Sequence, residues 1–196
     1  MSKAILDTIF GSRVRVKILK LLYRQYPASF GLAELSARIQ EPSFIARREL
    51  ALLQVVGLVK KIRVAKTIEQ YGLNSSSDLF AELRELVLKP LPAEIVRLSK
   101  RIDSLGRIQL AIVAGIFVSR PEERTYEAPA DLFIVGDMID KKKLNLFLKS
   151  LEADMGAEIR FAVMDPDEFR HRYEYFDRFL RVLLEGPHQK LINKME

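Results

Sequence analysis

Two adjacent arginines, Arg47 and Arg48, are the residues whose chemistry points most directly to a binding function. A guanidinium group can donate a pair of hydrogen bonds to O6 and N7 of guanine, and it can also bind phosphate. A second basic group follows shortly after them and consists of Lys60, Lys61, Arg63 and Lys66. Cations of this kind hold phosphates and add affinity that carries no sequence information. The two groups together predict contact with a nucleic acid.

The distribution of charge supports a polyanion partner for the first part of the chain. Residues 1–78 contain 13 Lys and Arg against 6 Asp and Glu, whereas residues 79–196 contain 19 against 20, within a net charge of +6. Such an asymmetry is typical of proteins that bind a polyanion through one domain. The alternative is a solvated basic surface without a partner.

The composition excludes several classes of site and location. The 196 residues include no cysteine, which rules out disulfides, thiol nucleophiles and cysteine metal sites. The segment Ser12–Lys20 is basic and cannot serve as the apolar core of a signal peptide. The longest apolar run, Ile108–Val118, is too short to span a bilayer. We therefore expect a soluble cytoplasmic protein with no membrane partner.

Three helices are predicted around the arginine pair. Apolar residues at helical spacing predict helices over Arg13–Arg24 and Leu32–Ile39. A third helix is predicted from Ser43, as N-cap, to Val56, because Gly57 suits the left-handed position that follows a last turn. Its inner face is expected to hold Ile45, Leu50, Leu53 and Val56, which leaves outside Ser43, Phe44, Arg47 and Arg48.

A basic hairpin is predicted after the third helix. Leu58–Val64 and Ile68–Leu73 have the composition of two short strands, with residues 65–67 as the tip. The polar segment Asn74–Asp78 is the clearest linker, and Ser77 or Asp78 is expected to cap the next helix.

The order helix, turn, helix, basic hairpin resembles that of a winged helix-turn-helix domain, here residues 1–78. The resemblance implies that the third helix enters the major groove of double-stranded DNA. The residues it assigns to DNA binding are Ser43, Phe44, Arg47, Arg48, Lys60, Lys61, Arg63 and Lys66. A winged helix that binds protein and leaves its arginines solvated is the alternative.

The second part of the chain, residues 79–196, is predicted to hold a helical linker followed by a small α/β domain, which makes the whole chain α+β. The predicted strands are Ile108–Val118, Asp131–Val135 and Glu158–Met164. The predicted helices are Leu79–Leu88, one containing Ile95, Leu98 and Ile102, Lys141–Met155 and Pro166–Leu184. The aromatic residues of the last helix, Phe169, Tyr173, Phe176 and Phe179, are expected to form a core or dimer face.

The chain as a whole resembles a recurring layout in which a minimal nucleotidyltransferase-like domain of the DNA polymerase beta type, with a mixed sheet, follows a winged helix. The resemblance covers nearly the whole chain and rests on the order and spacing of four phrases: Phe10–Arg13 at the start, then Ala130–Asp137, Asp165–Phe169 and Leu183–Pro187. Active members of that family use a Gly-Ser turn, an Asp-x-Asp pair and a third acidic residue to hold two Mg²⁺ ions and a triphosphate.

The sequence departs from the active pattern at two positions. Ile116 follows Gly115 where the family has serine, and Pro129 replaces the first aspartate of the pair. Asp131 and Glu158 then remain, in the expected strands, as a residual metal or nucleotide site. The alternatives are that both are ordinary strand-end or surface residues, or that Ser119 and Arg120 form the turn in a shifted alignment. We expect no transferase activity and no cofactor.

The function expected from the sequence is therefore that of a sequence-specific DNA-binding transcriptional regulator. Its inactive nucleotidyltransferase-like domain is expected to form a homodimer or to sense a small-molecule or nucleotide ligand, because palindromic sites favour two-fold symmetry. Two alternatives remain: an active nucleotidyltransferase that is targeted by its winged helix, and an antitoxin-like protein-interaction module.

Overall fold

The computed structural model describes residues 5–65, 68–89, 92–118 and 128–195. Contacts between residues divide the chain into two compact units. The first unit contains Met1–Lys89 and Lys149–Glu158, and the second contains Pro90–Leu148 and Ile159–Glu196. The division differs from the expected boundary after residue 78, because the next helix belongs with the first unit.

The first unit is built from helices and one hairpin. Its helices are α1 (Ile5–Phe10), α2 (Arg13–Arg24), α3 (Leu32–Ile39), α4 (Ser43–Val55) and α5 (Phe80–Leu88). The predicted bounds of α2 and α3 are confirmed, whereas α1 was not predicted. The hydroxyl of Ser12 caps α2 by accepting a hydrogen bond from the Arg15 amide. Residues 16–23 of α2 are all buried, so this helix lies at the centre of the unit.

Helix α4 differs from its prediction at both ends. Pro42 occupies the N-cap position, so Ser43 is the first helical residue and is not a cap. Val56 is the C-cap and is exposed. The buried face of the helix consists of Ala46, Glu49, Leu50 and Leu53, and Val56 does not lie on it. The predicted inner face was thus wrong at Val56 and at Ile45, which is only half-buried. Gly57 has the predicted left-handed conformation, with φ of +75°.

The predicted hairpin is present in the first unit. Strand β1 (Val59–Ala65) pairs antiparallel with β2 (Ile68–Leu73), and the predicted tip residues 66 and 67 lie outside the described residues. The predicted side-chain cap of α5 is wrong, because Leu79 takes the N-cap position and no side chain caps the helix.

The second unit contains a mixed four-stranded sheet in the order β5-β4-β3-β6. Its strands are β3 (Arg107–Ala114), β4 (Leu132–Asp137), β5 (Phe161–Met164) and β6 (His188–Asn193). Strand β3 runs antiparallel to β4 and β6, and β4 runs parallel to β5. The predicted first strand was too long, since a 3₁₀ turn over Gly115–Phe117 ends it. The polar strand β6 was not predicted.

Helix α6 (Pro92–Asp103) precedes the sheet, and α7 (Lys141–Met155) connects β4 to β5 with its predicted bounds. The division between the two units falls within α7.

The predicted long terminal helix is wrong. Two helices, α8 (Pro166–Glu174) and α9 (Arg178–Glu185), are separated by Phe176, whose φ is +53°. Phe176 is 81% exposed. Phe169 and Phe179 instead pack on Phe133, whose ring centroid lies 6.0 Å from that of Phe169 and 5.8 Å from that of Phe179. The aromatic series therefore does not form a single face.

Candidate nucleic-acid interface

The outer face of α4 carries the residues that the sequence assigned to DNA contact. Ser43, Phe44, Arg47 and Arg48 are all exposed, and Phe44 has 75% of its surface open to solvent. They lie opposite the buried face of Ala46, Leu50 and Leu53, since side chains three and four positions apart share one side of a helix.

Glu49 fixes α4 to the rest of the first unit. Its side chain is only 3% exposed. Oε2 accepts a hydrogen bond from Arg15 Nε at 3.0 Å and forms an ion pair with Arg15 Nη2 at 2.8 Å. Arg15 Nη1 also donates to the Phe10 carbonyl at 2.7 Å, and Arg48 Nη2 lies 3.3 Å from Glu49 Oε1. A buried carboxylate requires such partners to offset its desolvation. Sequence analysis missed Glu49, although an acidic residue on the inner face of a helix is a recognisable signal.

The turn between α3 and α4 is held by a second charged side chain. Lys17 is buried in α2, and its Nζ donates to the Ile39 carbonyl at 3.0 Å and to Glu41 Oε1 at 2.7 Å. Gln40 has φ of +53°, and its side-chain amide donates to the Lys149 carbonyl at 2.8 Å. The charges of Arg15 and Lys17 are therefore committed to the structure, although both lie in the basic part of the sequence.

The cations of β1 are not equivalent. Side chains alternate between the two faces of a strand, so Lys61 and Arg63 share one face while Lys60 lies on the other. All three are exposed. Lys61 Nζ binds Glu69 Oε2 at 2.8 Å and lies 5.9 Å from the centre of the Tyr71 ring. Within the described residues, no ion pair engages Arg47, Lys60 or Arg63.

Helix α4 packs against strand β1, so their exposed cations lie near one another. The hydrogen bond to Glu69 raises the pKa of Lys61 above its ordinary value, and the positive charge of Arg47 acts on that pKa in the opposite direction. Arg47 on the helix is therefore close enough to Lys61 on the strand for their charges to repel each other. The remaining predicted cation, Lys66, lies outside the described residues.

Asp131 is a structural residue of the second unit. It is 1% exposed and precedes β4, so its predicted place in a strand is wrong. Its Oδ1 accepts from the Ile116 amide at 3.2 Å and from Arg160 Nη2 at 3.1 Å. Its Oδ2 accepts from the Arg160 amide at 3.1 Å and from Arg160 Nε at 3.0 Å. These donors occupy both oxygens, which corrects the expectation that Asp131 remains available to a metal ion or nucleotide.

The turn at Gly115 is fitted to this carboxylate. Gly115 has φ of +50°, and a Cβ at this position would collide with Asp131 Oδ1. Glycine is therefore required both for the backbone conformation and for the space. The carboxylate and the turn hold each other in place.

Glu158 does not fit its predicted role either. It is exposed and precedes β5, which begins only at Phe161, so the prediction of a strand residue is wrong. Across the described ranges, no group of three or more His, Cys, Asp and Glu residues could hold a metal ion. The alternative turn residues Ser119 and Arg120 lie outside these ranges.

Comparisons with known proteins identify no relative, since no family model, no curated protein and no solved structure matches the chain. Among the helices that the structure describes, none has the length and apolar character needed to cross a membrane.

Proposed function

We propose that this protein is a sequence-specific DNA-binding transcriptional regulator whose first unit is a winged helix-turn-helix. The observation that carries the proposal is a set of exposed basic side chains, Arg47 and Arg48 on the outer face of α4 and Lys61 and Arg63 on strand β1, against which α4 packs. Within the described residues, Arg47 and Arg63 are exposed cations without an ion pair. A surface with these properties attracts a polyanion.

In the proposed complex, the first turns of α4 enter the major groove. Arg47 and Arg48 then reach base edges or the adjoining phosphates, because they lie on the outer face of the helix. Arg63 contacts phosphates beside the groove from the face of β1 that it shares with Lys61, and it sets the orientation of the domain on the duplex.

The second unit is proposed to be an inactive nucleotidyltransferase-like domain that forms a homodimer or senses a small ligand. The mixed sheet order and the Gly115 turn support the family resemblance. The engagement of Asp131 by Arg160 supports the absence of transferase activity, because the carboxylate has no oxygen left for Mg²⁺. Incorporation of a labelled nucleotide into any acceptor would contradict this part of the proposal.

The experiment that tests DNA binding is the selection of duplexes from a random library, followed by a salt titration on the recovered site. Four phosphate contacts per chain would give a slope of about −3.6 in log affinity against log salt. Steep salt dependence together with an enriched motif supports the proposal. Enrichment of no motif would leave only non-specific attraction and would contradict sequence-specific regulation.

A specific observation favours the alternative of a protein-interaction module. The C-terminal half of α4 exposes Leu52, Val55 and Val56, of which Val55 is 85% and Val56 is 64% open to solvent. Adjoining exposed apolar residues are a feature of protein-binding surfaces. Absence of any salt-sensitive binding to duplex DNA, combined with capture of a protein partner that Val55→Asp abolishes, would favour this alternative.

A further inference from the structure

Phe44 is an exposed aromatic residue on the outer face of α4, in its first turn. It is 75% exposed and is the second residue of the helix. Arg47 and Arg48 follow it by three and four positions, so the three side chains are neighbours on the helix surface. The buried residues Ala46, Leu50 and Leu53 occupy the opposite side, which means that Phe44 contributes nothing to the core of the unit.

The surroundings of Phe44 are basic, which favours an anionic occupant of this surface. Arg47 and Arg48 flank Phe44 on the helix, and both are exposed. An aromatic side chain between cations is suited to a partner that is anionic at its edges and carries an apolar group between them. The major groove of DNA has this composition, since the C5 methyl of thymine is the apolar group that it exposes between two phosphate backbones.

We propose that Phe44 is a specificity-determining residue that contacts the C5 methyl group of thymine in the major groove. This inference rests on the proposed function, because it requires α4 to enter that groove. The arginines supply contacts to guanine or phosphate, and Phe44 supplies the discrimination of thymine from cytosine at an adjoining position. Burial of one methyl group against the ring strengthens binding about fourfold.

The test uses the full chain and the duplex recovered by selection, in which each thymidine is replaced in turn by deoxyuridine. This replacement removes only the methyl group and keeps the base pair. For the wild-type chain, we expect at least one position where deoxyuridine lowers affinity about fourfold. Phe44→Ala should bind both duplexes with the same affinity, and Phe44→Leu should retain part of the preference because it keeps an apolar side chain.

Val55→Ala is the matched control, because Val55 is an 85% exposed apolar residue on the same helix at its far end. It should leave the thymine preference unchanged. Thermal unfolding of each variant verifies that it is folded, and the exposure of Phe44 and Val55 predicts only small changes in stability.

Two classes of result would overturn the inference, and they are distinguishable. Specific DNA binding in which no thymine methyl matters, or in which Phe44→Ala keeps the full preference, contradicts the role of Phe44 and leaves the proposed function intact. Failure to recover any bound duplex contradicts both. A recovered motif that requires no A·T pair would count against Phe44 alone.

Discussion

The two units of this protein each contain a buried carboxylate paired with arginine, but they use it differently. In the first unit, Glu49 binds Arg15 and also lies 3.3 Å from Arg48, while Arg47 is exposed on the outer face of α4. In the second unit, Asp131 receives hydrogen bonds from Arg160 and from the turn at Ile116, which occupy both of its oxygens. In the first unit the ion pair thus leaves a cation exposed on the neighbouring surface. In the second unit it leaves no carboxylate oxygen of Asp131 without a hydrogen bond.

The largest effect is expected from Asp131→Ala in the second unit. The substitution leaves the Ile116 and Arg160 amides without their acceptor and removes the partner of the Arg160 guanidinium. We expect a loss of about 4 kcal/mol in the free energy of unfolding, measured by urea titration. Asp167→Ala is the control, because that exposed ion pair with Arg170 should contribute less than about 1 kcal/mol. Equal losses in the free energy of unfolding for Asp131→Ala and Asp167→Ala would show that the buried carboxylate is no more important to stability than the exposed one.

Glu49→Ala is expected to have the next largest effect, and it should act on both stability and binding. Removal of the carboxylate leaves Arg15 without its main partner and should cost about 3 kcal/mol in the free energy of unfolding. DNA affinity should also fall at a temperature where the variant is folded, because α4 loses its anchor. Glu34→Ala, which breaks an exposed pair with Arg38, provides the control. Unchanged DNA affinity in folded Glu49→Ala would show that this carboxylate does not organise the binding surface.

Arg47→Ala combined with Arg48→Ala should lower affinity for the selected duplex about 30-fold, and loss of the mostly exposed Arg48–Glu49 contact should cost less than about 1 kcal/mol in the free energy of unfolding. The expected loss of affinity corresponds to the loss of one well-formed base contact of about 2 kcal/mol. Fluorescence anisotropy with a labelled duplex measures it. Arg181→Ala is a matched control in the second unit, since Arg181 is also exposed on a helix. A double variant with wild-type affinity would contradict the assignment of α4.

The smallest effects are expected within β1, where they separate two cations on the same face. Arg63→Ala should reduce the salt slope of binding by about 1, as expected for one phosphate contact. Lys61→Ala should reduce it by less, because Lys61 is already paired with Glu69 at 2.8 Å. Salt titrations of the two variants on one duplex provide the comparison. A larger reduction for Lys61→Ala would show that the Glu69 pair breaks on binding.

The elements that sequence analysis predicted well are those with a strong local pattern. The apolar spacing of α2 and α3 fixes both helices, and the left-handed Gly57 marks the end of α4. The elements that it missed lack such a signal. Strand β6 is mostly polar, and the break between α8 and α9 occurs at Phe176, where neither glycine nor proline is present. Only tertiary packing defines these two features.

In the candidate site, too, the features with a local sequence pattern could be predicted and those that depend on distant residues could not. Arg47, Arg48 and their exposure could be predicted from helical periodicity alone. The partners of the buried carboxylates could not, because Arg15 and Glu49 are 34 residues apart in sequence and Asp131 and Arg160 are 29 apart. The exposure of Arg47 and Arg48 was therefore predicted from the sequence, whereas the hydrogen bonds that occupy both oxygens of Asp131 were not.

The central claim is that the outer face of α4 reads a DNA sequence, and parallel selections of random duplexes test it most directly. One selection uses the wild-type chain, and the other uses the chain with Arg47→Ala and Arg48→Ala. We predict that the wild-type chain recovers a motif, whereas the double variant binds more weakly and no longer selects the bases that the two arginines contact. Recovery of the same motif by both chains, or of no motif by the wild-type chain, would contradict the claim.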